Sequence, residues 1–61
     1  MITITYIYRR LDGKWMQTEK SFSNKQKALR FIYAISKKAV NIEWKCDDPY
    51  DNDWLWRNVR I

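Results

Sequence analysis

Residues 23–38 read SNKQKALRFIYAISKK, and the rest of the chain is organised around this stretch. Ala28, Phe31, Ile32, Ile35 and Ala39 recur at helical spacing, and Leu29 and Tyr33 widen the stripe. Lys27, Arg30 and Lys37 or Lys38 fall on the opposite side. Ser23-Asn24-Lys25-Gln26 has the form of a capping box, which predicts a helix with Ser23 as its N-cap. The closing lysines suit the negative end of a helix dipole. One amphipathic helix needs an apolar surface to lie on, and the flanking segments supply it.

Upstream, residues 2–10 read ITITYIYRR, the β-branched and aromatic composition of a strand. Ile2, Ile4, Tyr6 and Tyr8 share the face expected to meet the core; Thr3, Thr5, Ile7 and Arg9 share the other. Asp12-Gly13 contains the only glycine and predicts a tight hairpin turn with positive φ. Trp15 to Ser21 reads as the return strand. It is more polar, so it belongs at a sheet edge, with Glu19 and Lys20 discouraging further pairing.

Downstream, Ala39 to Cys46 alternates, with Val40, Ile42, Trp44 and Cys46 expected inward and Asn41, Glu43 and Lys45 outward. Residues 47–53, DDPYDND, read as an acidic loop stopped by the only proline. Trp54 to Ile61 reads as a fourth strand of conflicting phase. Trp54 and Trp56 lie on one side, and Leu55, Val59 and Ile61 on the other. The expected architecture is α+β, in the order ββαββ. Residues 1–61 form one domain, a four-stranded antiparallel sheet of order 2-1-3-4 with one helix on one face.

Composition bounds the function. A chain of 61 residues buries only about 60% of the surface that it exposes when unfolded, so dense aromatic packing or self-association must support it. Cys46 is alone and histidine is absent, so an internal disulfide is excluded and no cofactor or metal is expected. The acids Asp47, Asp48, Asp51 and Asp53 lack the glycine and distal Glu of a calcium loop and read as a solvated turn. Acid–base or nucleophilic catalysis would fall to Cys46 or a shifted carboxylate, and Cys46 follows the inward phase of its strand. The expectation is not an enzyme. No apolar run approaches the roughly 18–20 residues that span a bilayer, and no signal peptide is visible, so a cytoplasmic protein without membrane or small-molecule partners is expected.

The net charge of +5 is unevenly placed. Residues 1–40 carry nine Lys/Arg against Asp12 and Glu19, whereas residues 41–61 are net acidic. Arg9, Arg10, Lys14, Lys25, Lys27, Arg30, Lys37 and Lys38 are therefore the candidate set for anion or nucleic-acid binding. Lys20 belongs to the same basic half. The bland alternative is a solvated helix face and turn. Trp54 and Trp56, with Arg60 nearby, are either core or an exposed interface anchor.

The stretch FSNKQKALRFIYAI, residues 22–35, resembles the start of the helix in the small arm-type DNA-binding domains of phage integrases. Those domains place three strands before the helix, and two precede it here. In length and Lys/Ile/Asn/Tyr usage the chain is similar to small phage or prophage proteins. Two functions follow as expectations. The first is a small non-enzymatic interaction protein that binds a protein partner or itself. The second is a nucleic-acid-binding module that uses basic residues and sheet aromatics.

Overall fold

In the computed structural model, which describes residues 1–60, β1 (Ile2–Arg9) turns back through Arg10–Lys14 into β2 (Trp15–Phe22). Arg10 N donates to Lys14 O at 2.7 Å, and Gly13 N donates to Arg10 O at 2.9 Å. Gly13 sits at φ +87°. An added Cβ there would have room, its nearest neighbour being Arg9 Nη2 at 3.6 Å, so the dihedral is what demands glycine. Asp12 Oδ1 accepts from Lys14 N at 3.0 Å and holds the turn.

Helix α1 (Lys25–Ile35) follows, and its cap differs from expectation. The N-cap is Asn24, not Ser23: Asn24 Oδ1 accepts from Gln26 N at 2.8 Å and from Lys27 N at 3.2 Å. Asn24 has the extended backbone that an N-cap requires and a carbonyl oxygen long enough to reach both donors. Asn24→Ala should therefore lower stability by about 0.5–2 kcal/mol, and Ser23→Ala should leave thermal melts unmoved. The reverse pattern would return the cap to Ser23. The stripe falls as expected: Ala28 and Ile32 are fully buried, with Leu29, Phe31 and Ile35 packed around them.

Strand β3 (Ala39–Cys46) pairs antiparallel with β1, giving the order β2-β1-β3. β3 is thus an edge, whereas a central place was expected. Its alternation is also broken. The register passes from Thr5↔Glu43 to Ile7↔Val40, so one extra residue of β3 bulges opposite Tyr6. Asn41 absorbs it at φ +54°, a conformation that Asn tolerates better than most residues. The bulge changes the phase. Val40, expected inward, lies 47% exposed on the open face opposite Ile7, and Ala39 is buried opposite Tyr8.

The largest correction is at the C-terminus. No fourth strand forms among the described residues. Pro49–Asn58 is a second helix, α2, so the order is ββαβα and the sheet has three strands. Asp48 is its N-cap, accepting from Tyr50 N at 2.8 Å, and Pro49 occupies the first turn, where a missing N–H costs nothing. Asp51 suits the positive N-terminus, and Arg57 Nε pairs with Asp53 at 3.0 Å one turn away. The expectation for Ile61 lies outside the described residues.

Both helices cover one face of the sheet. Ile2, Ile4, Ala28, Ile32 and Leu55 form the fully buried centre, each large side chain contributing about 1.5–3 kcal/mol. Phe31 extends the centre toward β2, its ring 5.4 Å from Tyr6 and 5.2 Å from Phe22. Tyr33 Oη ties the end of α2 to α1 by donating to Asn58 O at 2.7 Å and accepting from Arg60 N at 3.1 Å. The opposite sheet face carries Thr3, Thr5, Ile7 and Arg9, and neither described helix covers it. No described helix is long and apolar enough to cross a membrane.

Candidate functional site

The register fixes which residues share an end of the body, whose dimensions are 38 × 20 × 15 Å. Arg9 pairs with Trp15 and Tyr8 with Ala39, so the hairpin turn and the α1–β3 connection lie together. Ile2 pairs with both Phe22 and Cys46, so both helix starts lie at the other end. The candidate basic set therefore divides. Arg9, Arg10, Lys14, Lys37 and Lys38 gather at the hairpin end, where Asp12 is their acidic neighbour. Lys25 and Lys27 belong to the far end, and Arg30 lies midway along α1.

At the hairpin end, a shallow hollow of about 320 Å³ brings Arg9 and Lys38 together over Tyr6, Tyr8 and Ile35. Arg10 Nε stands 3.8 Å from Asp12 in the open, a contact that leaves the guanidinium available. On the uncovered sheet face, Trp15 lies opposite Arg9 and is 56% exposed. Leu11 at the tip is fully exposed. Cations therefore share this end of the body with an accessible indole, and Asp12 is the acid among them.

The far end is organised differently. Lys25 Nζ lies 5.2 Å over the Trp54 ring and shares a hollow with Asp51, so its charge is already engaged. The N-terminal ammonium meets Asp47 at 3.1 Å. Asp48 caps α2, and Asp53 holds Arg57. The acids read as a loop thus serve to begin a helix. Lys20 is also occupied, its ammonium lying 5.2 Å from the Phe31 ring centre and 5.7 Å from that of Phe22.

Trp54 and Trp56 do not share a side. On a helix, residues two apart diverge by about 200°, so Leu55 points into the core between them. Trp54 is half-buried toward α1. Trp56 is 68% exposed and leans on Trp44, ring centres 4.9 Å apart. Arg60 donates its backbone N–H to Tyr33 Oη at 3.1 Å. Trp15 and Trp44 were absent from the candidate sites. The signal for Trp15 was its position across the turn from Arg9.

Cys46 is partly buried. Burial pushes its thiol above the ordinary range, and Asp51, Asp47 and Asp48 add to this against the N-terminal ammonium. A protonated thiol is a poor nucleophile. Alkylation at neutral pH should therefore run several-fold slower in the folded protein than in the urea-unfolded chain, and its rise with pH should level off at a higher pH than in the unfolded chain. Equal rates at neutral pH would contradict this.

No protein-family model, curated protein or solved structure matches this chain.

Proposed function

We propose that this chain is a small non-enzymatic interaction protein and that its macromolecular partner is a nucleic acid held at the hairpin end. The observation that carries the reading is the gathering of Arg9, Arg10, Lys14, Lys37 and Lys38 at the end of the body that also carries exposed Trp15. Phosphates need several cations on one surface, and an unpaired base needs an aromatic plane beside them. The hairpin end offers both: Arg9 stands opposite Trp15 on the uncovered sheet face, and Lys38 shares a hollow with Arg9 on the helix-covered side. A single strand fits better than a duplex, because a stacked base must lie flat against the indole. The absence of histidine from the sequence and the raised thiol of Cys46 agree with a binding role.

The test is a fluorescence titration with a short oligothymidylate at several salt concentrations. About four phosphate contacts predict a slope of roughly −3 in log K against log salt, and an affinity loss near 50-fold between 50 and 200 mM. Absence of binding at low salt, or binding indifferent to salt, would overturn the reading.

A further inference from the structure

The outer edge of β3 is the second unsatisfied surface of the molecule. β3 pairs only with β1, so its other edge carries peptide groups without strand partners. Asp47 N donates to Met1 O at 3.3 Å, which sets the parity: the odd residues near it turn toward β1, and Trp44 and Cys46 turn outward. A hollow of about 300 Å³ runs beside this edge, lined by Thr5, Ile42, Glu43, Trp44, Lys45 and Trp56. Trp56 forms its exposed wall, and Trp44 Nε1 is enclosed there without a hydrogen-bond partner among the described residues. At the β2 edge, Lys20 is instead laid across the Phe22 and Phe31 rings.

We infer that this edge receives an extended segment of a partner protein as an added antiparallel strand. Outward N–H and C=O groups call for another extended backbone. Side chains decide its chemistry. Glu43 and Lys45 lie on the uncovered face and flank Trp44, so the incoming segment carries a basic residue against Glu43 and an acidic one against Lys45. Between those two, an apolar side chain enters the hollow beside Trp44 and Trp56. A second copy of this chain fits poorly as an added antiparallel strand. Helix α2 packs over β3, and joining two β3 edges antiparallel, roughly 4.8 Å apart, would bring both α2 helices onto one face, closer than the 8–10 Å that helices need. A bare strand meets no such obstacle. The bulge at Asn41 ends the usable edge, confining the contact to the C-terminal half of β3.

The probe is a synthetic peptide with Thr-Glu-Val-Lys-Ile at its centre, flanked by Ser and Gly. Hydrogen exchange read by NMR on the full chain should show the Trp44 and Cys46 amides slowed at millimolar peptide, with little change in β2. Trp56→Ser should weaken binding at least about fivefold in a protein that stays folded, its melt lowered only by loss of the Trp44 contact. No protection at millimolar peptide would overturn the inference. Equal protection by the peptide N-methylated at its edge-facing amides would also overturn it, because apolar docking would then replace strand pairing. If sedimentation shows a dimer with these amides protected before any peptide is added, the occupant is a second copy and the proposal fails. None of these outcomes depends on nucleic-acid binding.

Discussion

Leu55→Ala should cost about 2–5 kcal/mol, the largest stability loss expected from any single change in α2. Leu55 is fully buried with Ile2, Ile4, Ala28 and Ile32, and it is the only fully buried side chain among the described residues of α2. A chain of this length has roughly 3–9 kcal/mol in total to lose, so the variant should give up a large share of its stability and unfold at a much lower urea concentration. Leu11→Ala is the matched control. Leu11 is fully exposed at the hairpin tip, and its removal should leave the urea midpoint unchanged. If the two variants melted alike, α2 would not be packed on the sheet.

Replacing Arg9 and Lys38 together by Glu should give the largest loss of nucleic-acid binding. These residues meet across one hollow although they are far apart in the chain. At 50 mM salt each lost phosphate contact is worth about eightfold on a single strand, so the pair should cost about 60-fold before repulsion is added. Both positions are exposed, and the melt should stay where it is. Lys25→Glu with Lys27→Glu should change affinity little, because those residues lie at the other end. Equal losses from the two pairs would mean diffuse charge attraction rather than a site.

The first half of the fold was legible because each signal stood alone. The Ile2–Tyr8 alternation, Asp12-Gly13 and the helical stripe from Ala28 to Ile35 each admit one reading, and the structure carries all three. The C-terminal misreading has a physical cause. Trp54-Leu55-Trp56 offers aromatic bulk at a period that a strand could use, and Pro49 after an alternating strand reads as a stop. Asp48-Pro49 is equally a helix start, an acceptor followed by a residue that needs no N–H partner, and Asp53 and Arg57 stand one turn apart. Reading those together would have favoured the helix. The bulge was harder to see, because Val40, Ile42, Trp44 and Cys46 alternate without a break and only Asn41 hints at a positive φ. The basic end was half visible. Arg9, Arg10 and Lys14 are neighbours in sequence, but Lys37 and Lys38 join them only through the pairing of Tyr8 with Ala39.

The most direct test of the account is a chemical-shift map of the folded protein titrated with oligothymidylate at low salt. The prediction is that shifts concentrate in the amides of residues 9–15 and 37–39, with the Trp15 indole signal moving most. Shifts centred instead on residues 24–27 and 47–54, or spread evenly over both ends, would contradict it.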